Sequence, residues 1–127
     1  MIGRIFFILS PVLPVIFVCF SFQLQAGEAD ILDVKLSKTG ERLYRLDVSV
    51  RHDDQGWVHF ANRWEVVGPD GQILATRVLA HPHVREQPFT RFLGNIEIGE
   101  GLANVTVRAH DSLHGYGGMQ KEVAVPQ

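Results

Sequence analysis

The 127-residue sequence predicts an all-β fold, a seven-stranded antiparallel immunoglobulin-like β-sandwich that follows an N-terminal leader. Three observations carry this expectation. From Asp30 onward hydrophobicity alternates with period two, which gives each strand one dry face and one wet face. Seven such segments follow one another between residues 31 and 125. The segments between them hold the glycine, proline and aspartate that tight turns require.

The first element is residues 1–26, which read as a signal peptide: Arg4 is the only charge, Ile5 to Phe20 is apolar, and the polar run Ser21 to Gln25 leads to the small Ala26. A retained membrane anchor is the alternative. Ile5 to Phe22 is 18 residues, close to the roughly 20 that cross a hydrocarbon core. Leu24 is bulky for the third position before a cut at Ala26, but Pro11 and Pro14 argue against an unbroken spanning helix. Either way the remainder is exported, so a periplasmic or secreted location is expected. Cys19, the only cysteine, is preceded by Phe17 and Val18 rather than a small residue, and is read as leader rather than as a lipid attachment site. Residues 27–127 then form one domain without a thiol or disulfide. Their 11 basic and 14 acidic residues give a net charge of −3, which argues against a nucleic-acid surface.

Within that domain the strand segments are, in order, Ile31 to Leu36, Tyr44 to Val50, Val58 to Val67, Ile73 to Ala80, Phe89 to Ile98, Ala103 to His110 and Met119 to Val125. The second is the clearest, with Tyr44, Leu46, Val48 and Val50 alternating with Arg45, Asp47, Ser49 and Arg51. Ser37 to Gly40, Gly68 to Gly71 and Gly99 to Gly101 supply turn chemistry. A seven-stranded up-and-down barrel is the alternative architecture. Both send alternate connections to opposite ends of the domain.

That geometry gathers the six histidines at one pole. His52 and His59 bracket the second connection, His81 and His83 open the fourth, and His110 and His114 open the sixth. Imidazole is the commonest metal ligand. In His81-Pro82-His83 the proline biases the chain toward an extended form in which both rings point the same way, as a chelating pair would. His110 shares the outer phase with Thr106 and Arg108, opposite Val105, Val107 and Ala109. His114 precedes Gly115, Gly117 and Gly118, whose freedom suits a bulged hairpin or a ligand's close approach. His59 shares the phase of Ala61, Arg63 and Glu65 and is placed on the surface, whereas His52 beside Asp53 and Asp54 is read as a turn residue. The expected metal shell is therefore His81, His83, His110 and His114, with His59 or Asp111 as replacement or fifth ligand. Nitrogen and oxygen donors alone favour copper or zinc, and iron after them.

Three stretches, Asn62 to Gly71, His81 to Arg91 and Ala109 to Gly118, resemble a family of small exported bacterial proteins of unknown function. The resemblance covers nearly all of residues 27–127 and implies export and a compact domain. Asp111-Ser112-Leu113-His114-Gly115-Tyr116-Gly117 is also similar to the Cys-Asn-x-His-Gly-x-Trp ending of the superoxide reductase iron domain, itself an immunoglobulin-like sandwich. His114 and Gly115 match that pattern. Asp111 stands where the family's thiolate would be, so the resemblance implies a metal-bearing pole and not the activity.

No nucleophile with an acid-base partner is evident, and the contiguous Asp111, Ser112 and His114 do not make a triad, which is assembled in space. The expected function is thus a small exported binding protein, leaning away from an enzyme, whose partner is a transition metal ion. The alternative is a metal-free module that binds a protein or small molecule through the same loops, with Trp57, Phe89 and Tyr116 near Arg85, Glu86 and Arg91. Such a module could respond to pH as its histidines gain charge below about pH 6.5. A membrane would be a partner only with the leader retained.

Overall fold

In the computed structural model, which describes residues 27–127, the alternating segments become seven strands. These are β1 (Asp30–Gly40), β2 (Leu43–Arg51), β3 (Ala61–Val67), β4 (Ile73–Val78), β5 (Phe89–Glu97), β6 (Asn104–Asp111) and β7 (Lys121–Ala124). The leader and anchor readings, with Cys19, lie outside the described residues.

The strands form two antiparallel sheets, one in the order β1-β2-β5 and the other β4-β3-β6-β7. This is a sandwich rather than a closed barrel. The period-two residues do what their spacing predicts: Leu46, Val48 and Val50 of β2 meet Trp64 and Val66 of β3 and Val105 and Val107 of β6 in a single buried core. Tyr44 belongs to the same row, and its hydroxyl donates to the Pro126 carbonyl at 3.0 Å, tying the C-terminal end to β2. Tyr44→Phe removes that bond and leaves a part-buried carbonyl unpaired. A loss of about 1 kcal/mol is expected in urea unfolding, with unchanged slope.

Several boundaries differ from the sequence reading: the first segment, read as ending at Leu36, runs on to Gly40 through the residues read as a turn, and the chain turns at Glu41 and Arg42 instead. The third segment does not begin at Val58: Gly56–Val58 form a short 3-10 turn and β3 starts at Ala61. The sixth runs one residue further, to Asp111. A register shift between Ala61 and Arg63, where β3 pairs with β6, adds one residue to one strand. Such a bulge moves everything before it to the other face.

The glycines after His114 serve the fold itself. Gly115, at φ 72°, closes a tight turn by exchanging two backbone hydrogen bonds with Asp111. A Cβ on Gly118 would lie 1.9 Å from the Ala29 carbonyl oxygen, so the close approach there is by the chain's own first described residues.

Candidate metal centre

The connections β2–β3, β4–β5 and β6–β7 share one end of the sandwich. The inward phase of β2 continues one step past the strand to His52, and that of β6 ends on Asp111, so both side chains are driven into the interior. The 3-10 turn then returns the chain so that His59 packs against them. His52 and His59 are edge to face with ring centroids 4.8 Å apart, and His59 and His114 likewise at 4.9 Å.

The geometry converges on one atom. Asp111 Oδ2 lies 2.5 Å from His52 Nε2, 2.5 Å from His59 Nε2 and 3.4 Å from His114 Nδ1. Its other oxygen, Oδ1, accepts the backbone N–H groups of Leu113 (2.6 Å) and His114 (2.9 Å) and is thereby used by the turn. Asp111 is fully buried, yet its carboxyl is held well below the usual range. Burial opposes the charge most strongly, but the backbone N–H groups of His114 and Leu113 and the rings of His59 and His52 together outweigh it.

The far nitrogens are held as well. His52 Nδ1 donates to Asp54 Oδ1 at 2.5 Å, and His59 Nδ1 donates to Gln55 Oε1 at 3.0 Å. With both Nδ1 atoms so engaged, the two Nε2 atoms are left to face Asp111 Oδ2, as N–H donors where they carry a proton or as lone pairs where a metal ion takes its place. His52, His59 and Asp111 form a buried group that could hold a metal ion, their ligand atoms all within 4.8 Å of one another. Asp54 and Gln55 are then the outer partners that orient ligating histidines.

The structure distributes the residues expected as ligands over three places. His59 is in the buried group, not on the surface: the bulge in β3 reverses the phase from which the surface position was read. His114 is about one-third exposed and borders it. His81 and His83 lie apart from it on the β4–β5 connection, joined to it through Asp54, whose Oδ2 accepts the His83 backbone N–H at 2.6 Å. Burial chiefly, then nearby Arg91 and His81, push the His83 ring below its usual pKa.

His110 is on the outer face of the four-stranded sheet, as its phase predicts. Its Nδ1 donates to Asn62 Oδ1 at 2.7 Å and its ring meets Tyr116 edge to face. There Glu65 accepts from Tyr116, Arg63 and Arg108 in a surface network separate from the buried group.

His52 and Asp54 were missed as site residues. The signal for His52 was in the sequence, because it continues the row Tyr44, Leu46, Val48, Val50. The same extension of Val105, Val107, Ala109 reaches Asp111. Of the three aromatics assigned to the pole, Phe89 is buried beneath His83 and Tyr116 covers Glu65, whereas Trp57 is 69% exposed. With Val58 and Leu113 it leaves an apolar surface on the connections that carry His59 and His114.

No family model matches the chain, and no solved structure matches it either. The similarity to the superoxide reductase iron domain is not seen in these comparisons. The chain is similar to a protein of Halomicrobium mukohataei named "Putative lipoprotein", with 42% identity over 96 residues that cover 76% of this chain and 47% of that protein. It therefore spans about half the length of the relative it matches.

Proposed function

We propose that the protein is a small exported metal-binding protein that holds one Cu²⁺ or Zn²⁺ ion through His52 Nε2, His59 Nε2 and Asp111 Oδ2, with His114 Nδ1 closing the shell from the solvent side. The observation that carries this reading is the pair of imidazoles whose Nδ1 atoms are both taken by oxygen acceptors while both Nε2 atoms face one buried carboxylate oxygen. Tetrahedral ligation at about 2.0–2.2 Å sets ligand atoms about 3.3–3.6 Å apart. Binding thus widens each 2.5 Å contact by about 1 Å. Export is supported by the order of charge, apolar run and small residue in residues 1–26 and by the printed name of the Halomicrobium relative.

Loading the full chain with Zn²⁺ and desalting it is expected to leave about one tightly held equivalent, and free ion at 100 times Kd should stabilise the fold by about 2.7 kcal/mol. His59→Ala and His52→Ala should lose both effects. Retention below about 0.1 equivalent, with no thermal shift, overturns the reading.

The exposed Trp57, Val58 and Leu113 favour a second role for the same pole, docking of a partner protein beside the ion. Trp57→Ala should then weaken partner capture and leave the metal content unchanged.

A further inference from the structure

His83 is the second anomaly at this pole. Its side chain is 4% exposed, and both ring nitrogens are buried without a hydrogen-bond partner among the described residues. The nearest carboxylate oxygen, Asp54 Oδ2, is 4.0 Å from Nδ1, too far to accept. A buried imidazole always carries at least one N–H and, when neutral, one lone pair. Leaving such groups unpaired is unfavourable, because they give up water and gain no partner.

The ring is nevertheless firmly positioned. His83 N–H donates to Asp54, its carbonyl accepts from Gln87 Nε2 at 3.0 Å, and the ring stacks on Phe89 with centroids 4.0 Å apart and planes 10° from parallel. Gln87 in turn accepts the His52 backbone N–H through Oε1 at 3.0 Å. A position held from the main chain and from one ring face, with both nitrogens unused, has the form of a ligand site.

The second donor is next to it. The His81 ring lies 4.6 Å from that of His83, centroid to centroid, and is open to solvent. His81 Nδ1 donates to the Pro82 carbonyl at 3.1 Å, which leaves the lone pair on Nε2. The nearby positive charge of Arg91 is balanced by Glu86, which accepts two hydrogen bonds from its guanidinium at 3.0 and 3.1 Å.

We infer that His81 and His83 form a second transition-metal site, separate from the buried His52, His59 and Asp111 group, in which two imidazoles chelate Cu²⁺ and water completes the shell. Two nitrogen donors with open oxygen positions suit the tetragonal geometry of Cu²⁺, the divalent ion for which nitrogen ligands have the highest affinity in the first row. The ion occupies the lone pair of the orphaned His83 ring. Because the pair is open on the His81 side, it exchanges its ion with solvent faster than the buried group does.

Cu²⁺ titration of the full chain, followed by calorimetry and electron paramagnetic resonance, tests this. The wild type is expected to take up two equivalents. His81→Ala, an exposed substitution, should weaken one of them by more than about 10-fold, whereas Asp111→Asn should remove the other and leave this one. His83→Ala should match His81→Ala, with circular dichroism confirming that it is folded. Unchanged binding of both equivalents in His81→Ala and in the double variant His81→Ala/His83→Ala overturns the inference, as does a single equivalent that Asp111→Asn abolishes. A single equivalent lost in His81→Ala but kept in Asp111→Asn supports the pair and overturns the buried centre instead.

Discussion

Asp111→Ala is expected to lower stability by about 3–5 kcal/mol, the range for removing one partner of a buried charged group, and to abolish tight metal binding at the buried centre. The substitution takes the common acceptor from His52 and His59 and leaves the N–H groups of Leu113 and His114 without the oxygen that caps their turn. Urea unfolding with and without Zn²⁺ checks both effects. A variant that unfolds at the wild-type midpoint would show that the carboxylate does not hold this pole together.

The same residue sets an acid limit. Because the Asp111 carboxyl is held below its ordinary value of 3.8, its contribution is fully present above about that pH and is lost as pH falls toward its folded value. The wild type should therefore lose stability progressively below about pH 4. Asp111→Asn has no carboxyl to protonate, so the stability difference between it and the wild type should narrow over that range. A constant difference down to pH 2 would contradict the assignment.

Trp64→Ala is expected to cost about 3–5 kcal/mol. Trp64 is the largest fully buried side chain, at the middle of the four-stranded sheet where β3 is flanked by β4 and β6. Its indole N–H has no acceptor among the described residues, so the whole contribution is packing. Trp64→Phe, which removes that unpaired donor, should lose much less, about 1–2 kcal/mol. Equal costs for the two substitutions would contradict the assignment of the contribution to ring packing.

Much of this fold can be read from alternation, since a side-chain period of two is a direct consequence of strand geometry. Leu46, Val48, Val50, Val105 and Val107 are placed correctly by phase alone. The site was partly readable by the same rule. His52 and Asp111 are the next members of two core-facing rows, and a polar residue in such a row is forced to find a buried partner. Composition argued the other way, because His52 sits beside two aspartates and looks like a solvated turn. His59 could not be placed by phase. The bulge in β3 lies between it and the strand that defines the phase, and no local residue announces that bulge.

Strand number, the inward rows and the gathering of the histidines at one end follow from the chain's own periodicity and turn residues, which act over a few neighbours. The grouping of His52 with His59 and Asp111, the separation of His81 and His83 from them, and the role of Asp54 between the two sets depend on contacts between residues 29 to 59 positions apart. The His52–Asp111 contact exists only once the two sheets have packed face to face, and His59 reaches Asp111 only once β3 and β6 have paired. Their distances are set by sheet spacing and by one bulge, neither of which a local pattern encodes.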